Sequence, residues 1–253
     1  MRLFDGSASK LAAGPTLVLS ADPGPALFDV ARRYDPRVRY SKLLRRLIFS
    51  NGVLLLGPVK VTPGVAQHAG LPDGAAVAWY ALAALQGHQE RRAADAKAFD
   101  GERLVRGLAA RLGGTTHPAP LQPELALLAS VYSEQAPAPE QVIEALRPYG
   151  GNFRVEDPKP DSYSLTGEKT FFYVAYWSAR RYRESDAPAA VDPDRSRPLH
   201  HWDLHGGVRA SDAPRELCLK VGEAALALAG QSGGLALDMY GFPISSSDDL
   251  LPR

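Results

Sequence analysis

The fold prediction for this chain starts from two similar stretches, "AVAWYALAALQGHQERR" (76–92) and "FFYVAYWSARRYRES" (171–185). Each contains an adjacent pair of large aromatic residues, Trp79 with Tyr80 and Tyr176 with Trp177. Aromatic and β-branched residues favour strands, although the alanines and leucines of 76–92 make one continuous helix the main alternative. Because adjacent strand residues point to opposite faces, one aromatic of each pair is predicted to face helices and the other an open sheet face.

A similar helix and ending follow each of these strands. The segments 100–117 and 213–238 space their apolar residues at helical intervals, and each helix is predicted to stop at a glycine pair. The pairs are Gly113 with Gly114 and Gly233 with Gly234, and a short extended segment follows each pair. Chance recurrence in a chain rich in alanine and leucine is the competing explanation of this similarity.

Each half also opens with an apolar strand followed by a helix. The first half has "TLVLSA" (16–21) and "PALFDVARRY" (25–34), and the second has "LALLASVYSE" (125–134) and "APEQVIEALRPYGG" (138–151). Second strands are predicted at 52–61 and 151–157, and Asn51-Gly52 is a strong hairpin signal that adds a strand at 44–50.

These elements predict an α+β fold of two tandem ferredoxin-like (βαββαβ) halves, with antiparallel sheets and the helices on one face. The predicted boundaries are half one at 14–118, a Pro-rich joint at 119–123, half two at 124–244 with an insertion at 184–212, and a tail at 245–253.

Composition restricts the class of protein. The formal net charge of +1 gives no global attraction to nucleic acid or membrane, and Cys218, the single cysteine, excludes an internal disulfide. The N-terminus lacks a signal-peptide pattern, and no apolar run reaches the length of a spanning helix. We therefore expect a cytoplasmic protein with no membrane partner and no cofactor.

The segment "RPLHHWDLHGG" (197–207) holds three of the six histidines and lies in the predicted insertion. As an extended chain it would place His201, Asp203 and His205 on one side, which makes them the candidate catalytic residues. His201 and His205 would then lie roughly 13 Å apart, too far to bind one ion, so no metal site is predicted. The favoured interpretation is a polar loop anchored by Trp202.

The segment "RRYDPRVRYSKLLRR" (32–46) contains seven Lys or Arg residues and one acid, Asp35. Arginines interleaved with tyrosines can bind phosphates or stack on bases. A solvated basic face is the more common outcome, and an acidic protein partner is equally compatible.

The sequence contains no complete catalytic motif and leaves three functions open. The favoured function is a non-catalytic binding protein that presents a groove between its halves to a protein or small-molecule partner. The alternative is an enzyme with a His/Asp acid–base or metal site in the 197–207 loop, and the third is phosphate or nucleic-acid binding through 32–46. The candidate ligand-binding residues are His200, Trp202, Trp79, Trp177, Tyr176, Arg37, Arg39, Arg45 and Arg46. The oligomeric state is not predicted.

Overall fold

The chain folds into a mixed α+β structure with two six-stranded antiparallel sheets. A computed structural model describes residues 5–83, 91–118, 127–167, 173–179, 188–192, 197–208 and 212–250. The chain divides into two compact units, Met1–Leu121 and Gln122–Pro252, and each unit contains one sheet. The joint predicted at 119–123 lies outside the described residues.

The first unit contains four helices and six strands within its described residues. In chain order they are α1 (Asp5–Ala13), β1 (Thr16–Leu19), α2 (Pro25–Tyr34), β2 (Arg39–Ser41), β3 (Arg46–Ile48), β4 (Val53–Lys60), α3 (Pro63–Ala69), β5 (Val77–Ala83), α4 (Arg91–Leu112) and β6 (Thr115–His117). The strand order is β2-β3-β4-β5-β1-β6. The strand predicted around Trp79 is confirmed as β5, and the alternative of one continuous helix is wrong.

Helices cover both faces of the first sheet. Tyr80 packs in a cluster with Leu11 of α1 and Val65 of α3. Ala81 points to the opposite face, where it lies against Gly101 of α4. The prediction of helices on one face only is therefore wrong for this unit, because the sequence contains two further short helices that bury the second face.

The hairpin predicted at Asn51-Gly52 is confirmed. The Phe49 N–H donates to the carbonyl of Val53, and Gly52 has a φ of 82° that favours glycine. The Asn51 side chain accepts a hydrogen bond from the N–H of Val53 at 3.1 Å. The turn joins β3 to β4, so the extra strand exists but is shorter than predicted.

The second unit contains two α-helices and six strands within its described residues. They are β7 (Leu127–Ser133), α5 (Pro139–Gly150), β8 (Phe153–Lys159), β9 (Ser162–Gly167), β10 (Tyr173–Trp177), β11 (His200–His205), α6 (Arg215–Ser232) and β12 (Leu235–Asp238), followed by a 3-10 helix at Ser247–Leu250. The strand order is β12-β7-β11-β10-β9-β8. Gly233 adopts φ 65° and ends α6, as its sequence predicts.

The core of the second unit lies between the sheet and its two α-helices. Val142 and Leu146 of α5 and Val221 and Leu228 of α6 are fully buried there. The strands contribute every second residue to this core, including Trp202 at 0% exposure.

The predicted insertion at 184–212 requires correction. Residues His200–His205 are not a loop but the strand β11, which pairs with both β7 and β10. Prolines on either side suggested irregular structure, whereas burial of Trp202 and Leu204 fixes the segment as a central strand.

The alignment of the two aromatic strands is also wrong. In the first sheet β5 lies directly beside the opening strand β1, whereas β10 is separated from the opening strand β7 by β11. By position in the sheet, β5 matches β11 and β10 matches β4. The two segments were aligned because their composition is similar, but the position of a strand in a sheet depends on its pairing partners and not on its residue types.

Candidate functional site

The residues His201, Asp203 and His205 share one face of the second sheet. Trp202 and Leu204 alternate with them and point into the core under α5 and α6. We call the face opposite these helices the polar face. The prediction that the three candidate catalytic residues share one side is confirmed by this strand geometry.

Asp203 is the centre of the polar face. The Ser130 hydroxyl of β7 donates to Asp203 Oδ1 at 2.6 Å, because Ser130 lies directly opposite Asp203 in the pairing register. His201 Nε2 lies 2.7 Å from the same oxygen. Oδ1 of Asp203 is therefore the common contact of the Ser130 hydroxyl and the His201 ring.

The His201 ring is enclosed by two aromatic rings. Tyr132 of β7 stacks on it with centroids 4.3 Å apart, and Trp177 of β10 stacks on it at 5.3 Å. Only 7% of His201 is exposed. These contacts hold the imidazole in one orientation and restrict its access to any solute.

Burial and hydrogen bonding set the charges on this face. Burial alone would raise the pKa of Asp203, but the contacts from His201 and Ser130 hold it below its usual value. Burial lowers the pKa of His205, against the opposing charge of Asp203. The favoured state at neutral pH is an ionised Asp203 beside a neutral His205.

The outer end of the polar face is more open. The Tyr173 ring stacks on His205 with centroids 4.5 Å apart and planes 3° apart, and 38% of Tyr173 is exposed. Thr166 pairs with Tyr173 in the register of β9 and β10. A cleft of about 420 Å³ adjoins this point, lined by Arg154, Glu156, Thr166 and Gly167.

The candidate ligand residues on the helix-facing side of the sheet are largely buried. Trp202 and Tyr176 belong to the core, and the Tyr176 hydroxyl lies 2.9 Å from His200 Nδ1. The Trp202 indole N–H donates to the Tyr163 hydroxyl at 3.3 Å, and burial raises the pKa of Tyr163 to about 12.

In the first unit, Trp79 is 5% exposed and packs closely against Gly57. Trp79, Trp202 and Tyr176 are therefore core residues and do not form an exposed binding surface. Trp177 alone among the predicted aromatic residues lies on the polar face.

The basic run is divided among three elements. Arg32 and Arg33 end α2, Arg39 lies on β2, and Arg46 begins β3. Arg37 lies in the loop before β2, and Arg45 lies in the β2–β3 turn. Asp35 is fully buried, where its carboxylate accepts hydrogen bonds from the N–H groups of Arg37 and Ser50.

Sequence reasoning missed three residues of the polar face: Ser130, Tyr132 and Tyr173. Ser130 and Tyr132 are two positions apart in an apolar strand, a spacing that places both on one face. That signal was available, but the partner of Ser130 depends on the position of β11.

Comparison with protein-family models, with curated proteins and with solved structures finds no match. Across the described ranges, no group of three or more His, Cys, Asp or Glu residues is arranged to hold a metal ion. In the same part of the chain, no helix is both long enough and apolar enough to cross a membrane.

Proposed function

We propose that this chain is a non-catalytic binding protein whose ligand site lies at the outer end of the polar face. The observation that carries this proposal is the partly exposed Tyr173 ring, which stacks on His205 beside the cleft. The contacts of Ser130 and His201 with Asp203 bear on the absence of catalysis. The groove between the two halves stays a prediction from the sequence.

The pairing of these groups is unsuited to nucleophilic catalysis. An activated serine must hydrogen-bond to a base, which a third group orients. Here the Ser130 hydroxyl donates to Asp203 Oδ1, and His201 Nε2 lies against the same oxygen, so the hydroxyl is not bonded to the imidazole. Because the imidazole is also enclosed by Tyr132 and Trp177, these groups stabilise the sheet and offer no free base to a substrate.

The outer end of the polar face has the features of a binding site. Tyr173 presents a partly exposed ring held flat by His205, and the adjoining cleft offers the Thr166 hydroxyl and two charged residues, Arg154 and Glu156. A flat aromatic surface beside a few polar groups suits a small ring-bearing molecule with polar substituents.

The strand orders support a fold of two ferredoxin-like halves. In each unit the opening strand lies between the last strand and the strand that leads into the last helix: β1 between β6 and β5, and β7 between β12 and β11. The next strand outward is β4 in one sheet and β10 in the other, and two further strands extend each edge. We propose that the two units arose by duplication of this arrangement.

The test combines binding and turnover in one screen of the full chain. Nucleosides, aromatic amino acids and phenolic acids are tested for a rise in Tm and for product formation in the same mixtures. We expect a rise in Tm without turnover, and we expect Tyr173→Ala and Thr166→Val to abolish it. Val155→Ala is the matched control, since Val155 lies on β8 next to the cleft residues Arg154 and Glu156 but points to the opposite face.

Turnover of any of these compounds would overturn the proposal, and its loss in His201→Ala would favour the His/Asp enzyme alternative. A rise in Tm that survives Tyr173→Ala and Thr166→Val would place the ligand elsewhere on the protein.

A further inference from the structure

The hairpin formed by β2 and β3 exposes an unusual apolar tip. Leu43 is 92% exposed and Leu44 is 51% exposed, and both lie in the turn at Lys42–Arg45. Tyr40 on β2 is 45% exposed. Among the described residues, three of the seven most exposed large apolar side chains therefore lie in this one hairpin. Single exposed leucines are ordinary on protein surfaces, but such a cluster marks an interaction site.

Defined contacts hold the turn in place. The Leu44 N–H donates to the Ser41 hydroxyl at 3.4 Å, and Arg45 adopts φ 45°. The carbonyl of Arg45 accepts a hydrogen bond at 3.0 Å from the N–H of Gly57 on β4. Because the backbone is fixed on both sides of the leucines, their exposure is a built feature of the hairpin.

The surroundings of the tip are positively charged. Four cations lie within eight residues: Arg39, Lys42, Arg45 and Arg46. The sequence contains no acidic residue between Asp35 and Asp73. Asp35 itself is fully buried and hydrogen-bonded to backbone, so it is not available at the hairpin surface. The net charge of +1 for the whole chain conceals this local excess.

Two simpler explanations each account for the cations of the hairpin but not for its exposed leucines. Charged residues on a short edge strand prevent sheet-to-sheet aggregation, and β2 is such a strand, but this does not explain exposed leucines. Nucleic acid would engage the cations and Tyr40, yet aliphatic side chains offer little to phosphates or stacked bases. A lipid surface with anionic headgroups offers both an apolar medium and negative charge.

We propose that the β2–β3 hairpin binds an anionic lipid surface, with Leu43 and Leu44 entering the boundary of the acyl chains and the four cations contacting headgroups. This inference departs from the sequence-based expectation of no membrane partner. That expectation rests on the lack of a spanning segment and on the net charge, and neither describes a surface hairpin.

The test is co-sedimentation of the full chain with phosphatidylcholine vesicles, with and without phosphatidylserine. We expect binding only to the phosphatidylserine vesicles, and weaker binding at high salt. Lys42→Gln and Arg45→Gln should each weaken binding by roughly fivefold. The double variant Leu43→Ser/Leu44→Ser should weaken it by more than about tenfold.

Two matched controls keep this test specific. Val155→Ser removes an exposed apolar side chain and Lys159→Gln an exposed cation, both from the second unit, and both should bind vesicles like the original protein. A Leu43→Trp variant should show a blue shift of tryptophan emission with anionic vesicles, and Val155→Trp should show none.

Failure to bind anionic vesicles would overturn the proposal, and so would binding that the leucine variants leave unchanged. Tight binding to an oligonucleotide that depends on Arg45 but not on Leu43 and Leu44, without vesicle binding, would assign the basic run to nucleic acid instead. The vesicle result does not depend on the polar face, because Tyr173→Ala should bind vesicles normally.

Discussion

Replacement of Asp203 by alanine is the sharpest test of the polar face. The change removes the acceptor of the Ser130 hydroxyl at 2.6 Å and the group 2.7 Å from His201 Nε2. The hydrogen bond from Ser130 to this charged group contributes about 1.5 to 3 kcal/mol, and the close contact with His201 adds to the cost of losing the carboxylate. The substitution also removes the desolvation penalty of a buried carboxylate, and this reduces the cost. We expect Asp203→Ala to lower the free energy of unfolding by about 2 to 4 kcal/mol.

The loss of stability in Asp203→Ala should depend on whether Ser130 and His201 are still present. Once the carboxylate is absent, Ser130→Ala and His201→Phe remove buried polar groups that would otherwise be unsatisfied. The triple variant should therefore be more stable than Asp203→Ala alone, since a phenyl ring retains the stack between Tyr132 and Trp177. A gain in stability in the triple variant distinguishes three energetically coupled groups from three independent residues.

Hydrogen exchange at the amides of β7 and β11 in increasing urea measures the stability of the second unit. Glu156→Ala is the control, because this exposed carboxylate on the same face should change stability by less than about 0.5 kcal/mol. A cost of less than about 1 kcal/mol for Asp203→Ala, or simple additivity of the three substitutions, would contradict this coupling.

Three further predictions concern the two sheets. Burial lowers the pKa of His200 and His205 below the unfolded value of about 6.5, so the unfolded chain binds more protons than the folded chain. The free energy of unfolding should therefore be highest above about pH 7 and fall as the pH drops through 6.5. Urea midpoints of His205→Phe should decline less over that range, and an unchanged decline would contradict this assignment. Tyr176→Ala should cost about 3 to 5 kcal/mol through its core cavity, whereas Tyr173→Ala should cost under about 1 kcal/mol; equal costs in urea unfolding would contradict the assigned faces. Gly57→Ala should lower the free energy of unfolding by about 1 to 3 kcal/mol, because a Cβ there would lie 2.7 Å from the Trp79 ring; a neutral result in thermal unfolding would show that Trp79 can shift.

Local signals made most elements predictable from the sequence. Pro25 and Pro139 stand at helix starts, Gly233 stands at a helix end, and Asn51-Gly52 forms a hairpin, as their backbone preferences require. Each of these signals depends on a few neighbouring residues, so it is readable without knowledge of the rest of the chain.

The place of β11 was not predictable in the same way. Its partners β7 and β10 come much earlier in the sequence, and its flanking prolines resemble those of a loop. The grouping of His201, Asp203 and His205 was predicted because it depends only on strand alternation. The contact with Ser130 was missed because it depends on long-range pairing.

The central position of β11 has a consequence for how the second unit is made. Ser130 and Asp203, which face each other across β7 and β11, are 73 positions apart, and β12 follows later still. During synthesis β7 therefore emerges from the ribosome long before either strand that borders it. A nascent chain that ends before residue 200 leaves the facing edges of β7 and β10 unpaired, and such edges recruit other chains. The sheet can close only after β11 and β12 have been synthesised, and this long-range pairing makes its folding slow.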